Sequence, residues 1–229
     1  MRRHACAQYR RNRHAAHRQA GKEERAHAAA RVGARLTTDP RAQDVLDFWF
    51  GAPGSPEFGT ERRQWWTKKR AFDAMLTERF GALLDEAQAG GLEAWEREPL
   101  CALALIVVLD QFSRNCYRNK PRAFAGDARA LAVAKKLVGQ GDDLRMPSAC
   151  HRAFVYTPFE HDETLASQRQ SVRLFAKLRD DTGVASFYDS ALRHAEVIER
   201  FGRFPHRNRI LGRETLPAEE AWLAEHGGF

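Results

Sequence analysis

Three stretches set acids, arginines and histidines beside runs of large apolar residues: VVLDQFSRN (107–115), FVYTPFEHDE (154–163) and RFGRFPHRN (200–208). In the first, Asp110 ends the most hydrophobic run of the chain and precedes Gln111, Arg114 and Asn115. A carboxylate there is costly unless paired or hydrogen-bonded, so Asp110 either pairs with an arginine such as Arg114 or Arg203 or serves a site. In the second, Glu160, His161, Asp162 and Glu163 follow an aromatic run. A helix beginning there accounts for the acids through the macrodipole; a site accounts for them as well. Glu160 and Glu163 then share a face and His161 points elsewhere. In the third, Gly202 permits a helix to end, Pro205 forbids its continuation, and Phe201 and Phe204 anchor the turn. Arg203, Arg207, Arg209 and Arg213 leave that turn with His206 and Asn208, and guanidinium forks suit bidentate capture of carboxylate or phosphate. They are equally suited to pairing with acids of the other two stretches. His194, one helix upstream, lies on an apolar face, where a lone histidine is more often a satisfied core residue than a ligand.

Three functions fit these residues. In the first, which the sequence favours, the blocks converge in a cleft. Asp110, Gln111, Arg114, Asn115, Glu160, His161, Glu163, His194, Arg203, His206, Arg207 and Asn208 then line a site for a small anionic ligand, with His161, His206 or Asp110 available for proton transfer. In the second, the chain is a scaffold for a protein or peptide, with Trp65 and Trp66 as anchors if they are not core. In the third, Glu160, His161, Glu163, His194 and His206 hold a catalytic metal; with no i, i+4 histidine pair the sequence supports no metal assignment. No nucleophile elbow and no glycine-rich phosphate loop occurs, so neither cofactor nor reaction is identified, and the chain is not assigned as an enzyme.

The elements that must position these residues are helical. DPRAQDVLDFWFG opens with Asp39 as N-cap and Pro40 at the first helical position, and Gly51 follows its end. Phe72, Met75, Leu76, Phe80, Leu83 and Leu84 form one apolar stripe that stops at Gly90-Gly91. Pro99 begins a helix through Leu109 that is apolar all round, as a central buried helix is. Asp127 is the expected cap of DARALAVAKKLVGQG, and helices are expected over about 164–180 and 184–201 and after Pro217. Strand alternation is absent. The expectation is an all-α domain over 37–229 with seven or eight helices.

The net charge of +7 resides in the leader: residues 1–36 hold ten basic side chains against two acids, leaving 27 basic and 28 acidic beyond. A nucleic-acid surface is therefore not expected on the globular part. The leader reads as a disordered arm or a mis-assigned start, and it lacks the apolar core of a secretory signal. Cys6, Cys101, Cys116 and Cys150 show no metal or redox spacing, and the apolar run LCALALIVVL stops at Asp110, short of a membrane span. A reduced, cytoplasmic setting without a membrane partner is expected.

The blocks VLDFWFG, FDAMLTERF, LALIVVLDQFSRNCYR, RAFAGDARAL, FVYTPFEHDE, RFGRFPHRNRILGRET and WLAEHGGF together resemble the bacterial family known as domain of unknown function 924. The similarity runs from about Arg41 to Phe229 and excludes the leader. It implies a tetratricopeptide-like array of antiparallel helix pairs and carries no established activity. The family's recurrent polar blocks match at Asp110, Gln111, Arg114 and Asn115, at Glu160, His161 and Glu163, and at His194, Arg203, Phe204, Pro205, His206, Arg207 and Asn208. Ser113 stands where the family usually has proline, and Asp162 where it often has serine.

Overall fold

A computed structural model describes residues 36–228; the leader, Leu36 excepted, lies outside them. Among the described residues the chain is all α, as expected. Its eight helices are α1 Pro40–Phe50, α2 Arg70–Gln88, α3 Pro99–Cys116, α4 Asp127–Gln140, α5 Ala149–His161, α6 Leu165–Thr182, α7 Ser186–Phe201 and α8 Pro217–His226, linked by turns and short 3-10 segments.

Local chemistry sets several of the ends. The Arg41 amide donates to the Asp39 carboxylate at the start of α1, and the chain leaves through Gly51 at φ +86°, where a side chain would strain the backbone. Of the α2 stripe, Leu76, Phe80 and Leu84 are buried, while Met75 faces solvent. The α4 cap differs from expectation: Gly126 takes the cap position and Asp127 begins the helix, leaving its carboxylate free for another partner.

α3 is the centre. Every residue from Cys101 to Asp110 is buried, and the helix packs on α1, α2, α4 and α5. By length and composition it is apolar enough to cross a membrane, yet 67% of it is buried by the surrounding helices. It also runs on past Leu109: residues Val107–Phe112 adopt a π-helical turn before the α-helix resumes at Ser113. Such turns insert one extra residue and re-aim the side chains beyond it.

α5 was not legible as a helix. The acids 160–163 do not open a helix; Glu160 and His161 close one, and Pro158 sits inside it. Proline has no N–H to offer the Phe154 carbonyl one turn back. The Thr157 hydroxyl lies 3.2 Å from that oxygen, within reach to replace the missing donor. Three-residue connections turn α5 back onto α6 and α6 back onto α7, and these neighbours pack along their lengths. α3, by contrast, touches helices on both sides of it in the chain. Trp65 packs on Trp49 and donates to the Trp49 carbonyl at 3.1 Å, whereas Trp66 is 54% exposed.

His151, in the first turn of α5, is fully buried with its ring stacked on Phe50 at 4.1 Å, and its Nδ1 pairs with Ser148 Oγ at 2.8 Å. Burial pushes its pKa down to about 3. The unfolded chain binds that proton near its ordinary value, so stability is complete above about pH 6.5 and falls as the pH drops toward 3. The loss reaches about 2 kcal/mol at about pH 5 from this group alone. Urea unfolding should give a lower midpoint at that pH than at neutral pH, with the difference reduced by about that amount in His151→Phe.

Candidate functional site

Asp110 is the innermost member of the polar cluster. Placed by the π-turn, its side chain is 0% exposed and meets four donors. Arg114 Nη1 and His161 Nδ1 lie 2.9 and 2.7 Å from Oδ1; Gln111 Nε2 and Thr157 Oγ1 lie 2.6 and 3.2 Å from Oδ2. Burial raises the pKa of such a carboxyl, but Arg114 and His161 outweigh it and hold Asp110 well below the usual range. An ionised carboxylate only accepts hydrogen bonds, so His161 Nδ1 is the donor and its lone pair lies on Nε2. Burial, reinforced by Arg114, lowers the pKa of His161, which favours the neutral ring.

Arg114 also forks onto Asp127, at 2.8 and 3.0 Å, and donates to the Asp110 carbonyl. α4 comes this close because of Gly126: a Cβ there would lie 2.6 Å from the Leu109 carbonyl oxygen. Arg207 approaches from the 3-10 turn Pro205–Arg207, donating from Nη2 to the His161 carbonyl at 3.0 Å. Its Cζ lies 4.8 Å from the Phe124 ring centre and 4.6 Å from that of Phe204. The nearest carboxylate oxygen, on Asp127, is 3.7 Å from Nη1 and already engaged by Arg114. Nε is buried and makes no hydrogen bond to any described group. Burial and then Arg114 push the Arg207 pKa down to about 10.

The remaining predicted residues separate into four groups. Glu160 is buried with its Oε1 2.9 Å from His194 Nδ1; burial favours its neutral form, yet His194 prevails and its pKa falls. The His161 and His194 rings are 6.1 Å apart. Glu163 receives the Arg213 fork at 2.6 and 3.0 Å and the Phe204 amide at 2.8 Å, pinning the third stretch to the second. His206 follows on that turn; burial and Arg207 push its pKa down to about 3. Arg203 and Asn208 face away from Asp110: both donate to Glu219, a buried carboxylate of α8, with Arg203 bidentate at 2.6 and 2.8 Å. Asn115 is tied to Asp73 of α2 at 2.8 Å.

Clefts of about 440 Å³, beside Asp39, Trp95 and Glu98, and about 310 Å³, beside Lys135, Phe159 and Gln170, border none of the predicted site residues. Gly228 lies against the His206 ring, where a Cβ would come within 2.8 Å of the His206 Cβ. Among the described residues no three His, Cys, Asp or Glu side chains gather in a group able to hold a metal ion, so the metal reading gains no donor set.

Sequence reasoning missed Asp127, Thr157, Phe124 and Glu219. Asp127 was read as a cap; Thr157 had one visible signal, its place immediately before a proline in an apolar run.

A family model described as a bacterial protein of unknown function, DUF924, matches residues 45–227. A solved structure of a protein of unknown function from Agrobacterium tumefaciens is 35% identical, with a TM-score of 0.72 over 82% of this chain and 99% of that one. Among curated proteins none matches.

Gly126→Ala should push α4 off the π-turn and destabilise the protein by about 1–3 kcal/mol, as overpacking does. Urea denaturation checks the loss.

Proposed function

The chain belongs to the bacterial DUF924 family, and for this member we propose a small-molecule site in which Arg207 binds the carboxylate or phosphate group of an anionic ligand. One observation carries the reading. Arg114, Arg203 and Arg213 each have a bidentate carboxylate, on Asp127, Glu219 and Glu163. Arg207, with a side chain only 8% exposed, has none among the described residues, and its Nε meets no described acceptor. A buried cation without a closely paired anion is costly. An oxyanion on the Nε edge removes that cost, and the flanking Phe124 and Phe204 rings keep the guanidinium planar edge in place to receive it. Arg203, which the sequence grouped with the binding arginines, serves instead to clamp α8.

A second reading, a scaffold for a protein or peptide, is favoured by the exposure of Trp66 beside the Phe187 ring. A tryptophan more than half exposed suits the anchor of an interface.

Thermal melting with inorganic phosphate or succinate tests the anion site. Either ligand should raise the melting temperature of the wild type and leave that of Arg207→Met unmoved. Ligand-free Arg207→Met should melt at or above the wild-type temperature, because an apolar side chain replaces an incompletely paired charge. Arg203→Met, which strands the buried Glu219, should melt several degrees lower. No shift with either ligand, or an equal shift in Arg207→Met, overturns the reading.

A further inference from the structure

Resting on the anion site at Arg207, we propose that His161 is the proton acceptor for the ligand bound there and that Asp110 is the positioning residue that makes it one. His161 joins the two halves of the cluster. Its backbone oxygen receives Arg207 Nη2 at 3.0 Å, and its ring Nδ1 lies 2.7 Å from Asp110 Oδ1. The other ring nitrogen, Nε2, makes no hydrogen bond to any described group, and the side chain is 17% exposed. The geometry thus leaves one basic lone pair unused, on the same residue that anchors the proposed anion-binding arginine.

Asp110 is suited to positioning and unsuited to taking the proton itself. Arg114, Gln111 and Thr157 occupy the carboxylate beside His161, which keeps it ionised and fixes Nδ1 as the protonated nitrogen. Burial and Arg114 keep the imidazole neutral before a ligand arrives, the form a base needs. In the step, an X–H bond of the ligand breaks and leaves its electron pair on X. An N–H bond forms at Nε2, and the resulting imidazolium is stabilised by the Asp110 carboxylate while Nδ1–H stays in place. The proton then passes from Nε2 to water. The ligand class is a small acid carrying a carboxylate or phosphate for Arg207 and an acidic X–H group nearby.

Two measurements on the full chain test this without a known substrate, using inorganic phosphate as the probe. Imidazole nitrogen NMR should show His161 protonated on Nδ1 in the wild type; a proton on Nε2 overturns the positioning role of Asp110. Diethyl pyrocarbonate should acylate His161 at neutral pH, read by peptide mass, with the modified peptide lost in His161→Gln. Phosphate at about ten times its Kd should slow that acylation about tenfold in the wild type. Arg207→Met, which still carries His161, should show no such protection. If phosphate raises the melting temperature through Arg207 but leaves the acylation rate unchanged, the proton-acceptor role fails and the anion site stands. If phosphate binds neither form, both fail together.

Discussion

An ionised carboxylate with no water contact, on the helix against which α1, α2, α4 and α5 all pack, is the constraint that organises this molecule. Withdrawing such an ion from solvent carries a penalty of several kcal/mol, and only well-placed opposite charge and donors offset it. Asp110 draws those from two helices: Gln111 and Arg114 from its own, and Thr157 and His161 from α5. α5 must therefore end beside the π-turn of α3, which fixes where the chain re-emerges at Asp162 and where the α6–α7 pair is laid down.

Charge neutralisation then spreads outward and stops one partner short. Asp110 engages Arg114, Arg114 engages Asp127, and the fork of Asp127 is filled before Arg207 can share it on equal terms. Elsewhere the same turn is anchored conventionally, by Glu163 with Arg213 and by Glu219 with Arg203 and Asn208. The third stretch thus combines two roles that look alike in one dimension. Arg203 and Asn208 hold the C-terminal helix through Glu219; the Arg207 guanidinium, between two phenyl rings, does not.

How much of this the sequence could reveal depended on whether the deciding partner was local. The ends of α1 follow from Asp39, Pro40 and Gly51, and the buried face of α2 from the spacing of Leu76, Phe80 and Leu84. α5 escaped because it is buried on every side from Cys150 to Glu160 and so shows no amphipathic period, while Pro158 looks like a boundary. The π-turn has no residue signature of its own. Its tertiary effect, an acid swallowed by an apolar helix, was visible only as a misplaced Asp110. Arg203 and Arg207 could not be told apart because the distinction is made by Glu219, sixteen positions from Arg203, and by Asp127, which local pattern assigned to a cap.

Thr157 has a single hydroxyl hydrogen and two acceptors at the same 3.2 Å: the Phe154 carbonyl orphaned by Pro158 and the inner oxygen of Asp110. Rotation about one C–O bond therefore decides whether the open carbonyl of α5 or the carboxylate is served. Swinging toward the Phe154 carbonyl strips Asp110 of a donor and leaves its negative charge less screened, so the neighbouring imidazole becomes more basic; swinging back does the reverse. The proline gap in one helix is in this way wired to the proton affinity of the ring at its end, through a rotor of two heavy atoms.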